Sequence, residues 1–253
     1  MFTQAIVRKP CEAIVNGLTT ANLGVPNYTL ACEQHQDYVT ALRECGLHVT
    51  ELAPLEDFPD SCFVEDVALL TQHCAILTHP SALSRKGEVA YIAASLDPFY
   101  SSTQSISNKG NAEAGDIMMV GRHFYIGLSQ RTNRIGANEI IRILNQHGLS
   151  GSTVKMKELL HLKTGVSYLE NDNLLAYGEM MSHPDFAQYR RIEIDEDEQY
   201  AANSVWINGT VLIPTGFPKT LRAVQQLGYQ TREIAMSEFQ KIDGGLSCLS
   251  LRF

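Results

Sequence analysis

A recurring block constrains this chain more than any other feature. In it a short polar or acidic cluster runs into an apolar strand, often followed by a tight turn and a second strand. It reads FVEDVALLTQHCAILTHP at 63–80, AEAGDIMMVGRHFYIGLS at 112–129, YLENDNLLAYGE at 168–179 and AANSVWINGTVLIPTG at 201–216. A fifth copy, GGLSCLSLRF, spans 244–253. Asn208-Gly209 is a strong two-residue hairpin signal. Helical segments lie between copies: YTLACEQHQDYVTALRECG, TNRIGANEIIRILNQHG and KTLRAVQQLG, each closed by a glycine (Gly46, Gly148, Gly228) as helices commonly are. A short strand follows each of them. Five units of roughly 50 residues account for the length of 253. The expected fold is α/β, with five ββαβ-like modules around a pseudo-fivefold axis in a single domain, 1–253. An open α/β sheet with irregular hairpins is the plainer alternative.

Modules around an axis would bring the polar strand heads together at the centre. Buried charge is tolerated there only when paired or used, so such a centre reads as a binding site. The first head supplies Glu65 and Asp66, with Asp60 just upstream, and the second supplies Glu113 and Asp116. His161 precedes the third head, Asn203 belongs to the fourth, and Asp243 and Cys248 to the fifth. A thiol, an imidazole and several carboxylates suit attack on a guanidinium carbon. Carboxylates recognise that planar cation by paired, charge-assisted hydrogen bonds. A thiolate is the natural nucleophile, and a neighbouring cation favours its ionised form. A histidine can protonate the departing amine and then activate water against the covalent intermediate.

Each of these residues also has a plainer reading. A lone cysteine in an apolar strand is more often an inert core thiol, and Cys11, Cys32, Cys45, Cys62 and Cys74 keep that reading. Cys248 differs in its setting, because Gly244-Gly245 precedes it and Ser247 and Ser250 flank it. His161 could simply satisfy a turn. Glu65-Asp66 could be a strand-entry turn, although two acids directly before VALL sit poorly on a plain surface. Arg85 and Arg131 each open a presumed helix, where positive charge opposes the dipole. Gripping a substrate carboxylate would explain them.

Composition narrows the remaining classes. The formal net charge of −8 and the lack of a basic stripe argue against a nucleic-acid surface. No apolar run reaches the 18 or so residues a bilayer requires. The six cysteines form no CxxC pair, which speaks against a structural zinc site. MFTQAIVRKP has no secretory apolar core. The expectation is therefore reduced thiols and a cytoplasmic protein.

FPDSCFVEDVALL, AEAGDIMMVGRHFYIG, LHLKTG with YLENDNLLA, and KIDGGLSCLSLRF together resemble the dimethylarginine dimethylaminohydrolases, a family of the guanidine-modifying, or pentein, superfamily. The resemblance runs from NGLTT at 16–20 to Phe253, and four motifs in order make it specific. It implies a pentein-type α/β propeller and hydrolysis of Nω-methylated arginines to citrulline and a methylamine, without cofactor or metal. It implies Cys248 as the nucleophile that forms a covalent thiouronium, His161 as acid and base, and Glu113 as the residue orienting it. Asp60, Glu65 and Asp66 would bind the guanidinium and amino groups, and Arg85 and Arg131 the carboxylate. Backbone groups near Leu18 and Ile242 would complete a pocket under a lid at 16–22. The implied partner is the small-molecule substrate alone, with neither nucleic acid nor membrane, and a homodimer is one expected assembly. Arginine deiminase, acting on unmethylated arginine, is the nearest rival, although the extra helical insertion of that family has no counterpart here. Agmatine deiminase is a weaker rival, because agmatine lacks the carboxylate that Arg85 and Arg131 would bind. An amidinotransferase would need an acceptor-amine site, and a non-catalytic binding propeller would be expected to break the thiol–histidine–carboxylate set.

Overall fold

The computed structural model describes residues 1–253. In chain order its elements are β1 (Gln4–Arg8), α1 (Tyr28–Glu44), β2 (His48–Leu52), β3 (Ala68–Leu70), β4 (Ala75–Leu77), α2 (Glu88–Ala93) and β5 (Thr103–Ser105). Then come β6 (Ile117–Val120), β7 (His123–Leu128), α3 (Arg134–Gln146), β8 (Ser150–Lys155), α4 (Leu162–Gly165), β9 (Val166–Tyr168), β10 (Asn173–Ala176) and β11 (Arg190–Glu193). The last are β12 (Val205–Ile207), β13 (Thr210–Pro214), α5 (Pro218–Gln226), β14 (Gln230–Ile234), α6 (Ser237–Gln240) and β15 (Leu251–Arg252).

These strands form five three-stranded sheets with one plan. A first strand runs antiparallel to a middle strand, which is parallel to a third. A parallel neighbour needs a crossover connection, and α2, α3 and α5 supply it in three sheets, as α1 does between β1 and β2. The repeat of the sequence is thus a repeat of the structure, with two differences. The fifth copy is not a unit by itself. It supplies only β15, which pairs with β1, while β1, α1 and β2 complete that sheet. Chain order therefore does not match module order at the closure. In the third module β10 and β11 are joined by 3-10 turns at Gly178–Ser182 and Pro184–Phe186 rather than an α-helix.

Local chemistry explains the elements that position the site. Asn27 caps α1 by accepting from the Leu30 N–H at 3.0 Å, and Asn133 caps α3 through Gly136. Such caps satisfy donors that a helix start leaves free. Asn208 and Gly209 adopt φ of 50° and 101°, the left-handed pair a two-residue hairpin requires. The apolar residues pack as clusters between sheets. The largest sets Tyr38, Val39 and Leu42 of α1 against Ile207, Leu212 and Ile234 of the fourth module. Each such buried aliphatic side chain contributes about 1.5–3 kcal/mol. That packing holds the polar heads of the first strands in place.

Candidate active site

The strand heads converge on one small cavity. Leu18, Asp60, Phe63, Asp66, Arg85, Glu113, Arg131, His161, Ile242 and Cys248 line it. Its free space is about 40 Å³, room for roughly three waters.

Cys248 lies in the helical turn Ser247–Leu249, just before β15. The Gly245 N–H donates to its Sγ at 3.4 Å. Burial, then the negative charges of Glu65 and Asp66, push the thiol up to about 12, with the Gly245 N–H and Lys163 opposing. The free site thus holds a neutral thiol near pH 7.

His161 immediately precedes α4, and its Nε2 meets Glu113 Oε2 at 2.9 Å. Burial opposes a charge there, but Glu113, Asp66 and Asp116 outweigh it and raise the imidazole to about 9. The resting pair is an imidazolium on a carboxylate. Glu113 is fixed in turn by the Ser81 N–H and hydroxyl on Oε1, with Arg131 at 3.7 Å. Asp116 sits below and accepts from the Leu162 N–H at 2.9 Å and the Ser129 hydroxyl at 2.6 Å.

Asp66 is ion-paired with Arg85 at 2.5 Å. Burial works against its charge, yet Arg85 and His161 hold it below the usual carboxylate range. Arg85 is itself buried between Asp66, Glu88 and the carbonyls of Asp60 and Phe63. Of its five N–H donors, one Nη1 hydrogen remains for a ligand. Arg131 is freer, with its side chain 23% exposed. Asp66, Glu113 and His161 bring ligand-type atoms within 4.8 Å of one another. All three are already engaged, Asp66 by Arg85 and His161 and Glu113 by each other, so the trio reads as a charge network.

The segment at 16–22 covers the cavity and is fastened to its rim. The Leu18 N–H donates to Asp60 Oδ1 at 2.9 Å, and the Thr19 hydroxyl to the Lys241 carbonyl at 2.8 Å. Thr20 donates its N–H and hydroxyl to one oxygen of Asp243 at 2.5 and 2.9 Å. Asp243 carries this clasp at φ 58°, a conformation uncommon for non-glycine residues.

Of the residues singled out in the sequence, Asp116 and Asn203 do not line this cavity, and neither does Glu65. Glu65 and Asp66 are neighbours in one helical turn, and their side chains diverge. Glu65 accepts from Ser247 Oγ at 2.7 Å and pairs with Lys163 and Arg252 on the far side of Cys248. Glu88, Lys163, Ser247 and Arg252 were not among the candidates. Glu88 had a signal, since it stands three residues after Arg85, where helical partners meet. The others are joined only by long-range packing.

The chain is similar to known proteins over its whole length. The family model described as arginine deiminase matches residues 55–212. The chain is 52% identical to the N(G),N(G)-dimethylarginine dimethylaminohydrolase of Pseudomonas aeruginosa, over the full length of both. A structure of the Pseudomonas aeruginosa enzyme as a cysteine-to-serine variant complexed with citrulline is 51% identical, covers both chains fully and superposes with a TM-score of 0.99. A dimethylarginine dimethylaminohydrolase with a histidine-to-glycine substitution, an adduct with S-methyl-L-thiocitrulline, is 51% identical with full coverage of both and a TM-score of 0.98.

Proposed function

Because the chain belongs to the dimethylarginine dimethylaminohydrolases, within the arginine deiminase family, we propose a residue-level mechanism for it. It is a hydrolase that converts dimethylarginine to citrulline and dimethylamine. The guanidinium lies against Asp66, whose charge survives burial because Arg85 faces it. Asp60 takes the amino end, with backbone groups at Leu18 and Ile242. Arg131 and the remaining Nη1 hydrogen of Arg85 hold the carboxylate.

The arriving cation is the switch for the nucleophile. It offsets the negative charges that keep the Cys248 thiol protonated, as a nearby positive charge does for any thiol. The thiol proton passes to solvent water, because His161 already carries its own proton, and the thiolate attacks the guanidinium carbon. Glu113 occupies Nε2 of His161, so Nδ1 delivers the proton to the departing dimethylamine. The carbon–nitrogen bond breaks and a thiouronium remains on Cys248. Neutral His161 then takes a proton from water at Nδ1. The hydroxide adds to the carbon, the carbon–sulfur bond breaks, and the departing sulfur takes the proton of the new hydroxyl, so that neutral citrulline and the Cys248 thiol result.

The single observation that carries this reading is the shared cavity of Cys248, Asp66 and the His161–Glu113 pair under one lid. A citrulline assay with dimethylarginine, monomethylarginine, arginine and agmatine tests it, with Cys248→Ser as the blank. Methylated arginines are expected to turn over and agmatine, lacking a carboxylate, to fail. Preference for unmethylated arginine would make the chain a deiminase instead.

No helix is long and apolar enough to cross a membrane. All six cysteines are free thiols, which suits a reducing compartment, so the cytoplasm is the proposed location. A homodimer is the proposed assembly, which sedimentation velocity checks.

A further inference from the structure

Asn203 is a buried amide that the mechanism above does not use. It ends the helical turn Glu196–Ala202 just before β12 and is 6% exposed. Its Oδ1 accepts from the Ser247 N–H at 2.8 Å. Its Nδ2 donates to the Lys163 carbonyl at 3.0 Å and to Ser247 Oγ at 3.1 Å. The acceptor and both donors of the amide are therefore used. Lys163 follows His161 by two residues, and Ser247 precedes Cys248 by one. One side chain thus joins the segment carrying the imidazole to the turn carrying the thiol, across sequence separations of 40 and 44. A second feature makes the joint tight. A Cβ on Gly245 would lie 2.5 Å from Asn203 Cγ, and Gly245 is the residue whose N–H reaches Cys248 Sγ.

We infer that Asn203 is a positioning residue that fixes the Cys248 turn against the His161 segment. The amide is suited to this because it accepts on one side and donates on the other in a rigid plane. Asp116 also grips α4, through the Leu162 N–H, but has no hydrogen bond to the nucleophile's turn. The inference rests on the assigned roles of Cys248 and His161.

The test is Asn203→Ala, measured per active site after thiol titration. A misplacement of about 1 Å can cost on the order of 10²-fold. The expected result is a kcat for dimethylarginine about 10- to 100-fold lower, with KM changed by less than about threefold. The rate of alkylation by an amidinium-bearing halide is expected to fall at least about tenfold relative to iodoacetamide, which needs only the thiol. A loss confined to the fraction of active sites, with kcat per site and the alkylation ratio unchanged, would overturn the inference. Gly245→Ala presses on the same contact from the other side and leaves Asn203 intact. It is expected to give the same split between kcat and KM, and it decides the matter if Asn203→Ala does not fold. Wild type measured alongside separates the two levels. If it makes no citrulline, the assigned function fails; if it does and both variants match it per site, only the role of Asn203 fails.

Discussion

At the scale of residues, the site is a balance of buried charge. Arg85 faces both Asp66 and Glu88 in the interior, and Arg131 is only loosely placed near Glu113. Removing one partner of a buried pair strands the other, at about 3–5 kcal/mol. Arg85→Ala is therefore expected to lower stability by that order in urea unfolding, as well as to raise KM. Arg131→Ala should keep near-wild-type stability and raise KM for substrates with a carboxylate. Equal stability of the two variants would contradict the ion-pair account of Arg85. Much of this site was legible in the sequence, because acids at the head of apolar strands are costly unless used. Glu65 shows where that reasoning stops. Adjacent residues in a helical turn diverge, and only packing decides that Asp66 faces the cavity while Glu65 faces Lys163, Ser247 and Arg252.

At the scale of elements, the lid is held by hydrogen bonds to the same rim that carries the nucleophile. Asp243 clasps Thr20, and the turn continues through Gly244 and Gly245 toward Cys248. With a cavity of about 40 Å³ beneath it, this clasp is expected to release when substrate enters. Asp243→Asn keeps the shape but weakens the charge-assisted bonds, which are roughly twice as strong as neutral ones. Amide hydrogen exchange at 18–21 should accelerate in that variant, with exchange in α1 and α3 unchanged. Unaltered exchange at 18–21 would show that the clasp is not what holds the lid. The three helices α1, α3 and α5 were legible from their periodicity and glycine stops. The β9–β10 turn was not. Glu170, Asn171 and Asp172 all adopt positive φ, which Asn and Asp tolerate but which is uncommon for Glu and for three residues in a row. The Tyr229 hydroxyl on the Glu170 carbonyl and the Arg190 N–H on the Asp172 carbonyl hold them there.

At the scale of the whole molecule, the ring closes where its two ends meet. β15 pairs with β1, and the Phe253 carbonyl accepts from the N–H groups of Thr3 and Gln4. The fivefold repeat was legible because each module reuses one pattern. The sharing of the last module was not, because β15 and β1 are at opposite ends of the sequence. Two buried histidines set the pH range of stability. Burial lowers His35 to about 4, and its Nε2 has no partner. The unfolded chain then binds more protons below about 6.5, so stability is lost as pH falls from there toward 4. His161 is raised to about 9. Its contribution is full below about 6.5 and is lost as pH rises through 9. Each effect amounts to about 3 kcal/mol at its limit. Unfolding free energy should therefore peak near neutrality. His35→Gln should flatten the acid side alone, and an unchanged acid side would remove His35 from the account.

The central claim is that Cys248 attacks the guanidinium carbon of dimethylarginine. Rapid quenching of wild type with that substrate, followed by intact-protein and peptide mass spectrometry, tests it most directly. The prediction is a transient adduct equal to substrate less dimethylamine, carried on the peptide containing Cys248 and absent from Cys248→Ser, which also forms no citrulline. Citrulline formed by Cys248→Ser at a rate near that of wild type, or an adduct on any other residue, would contradict it.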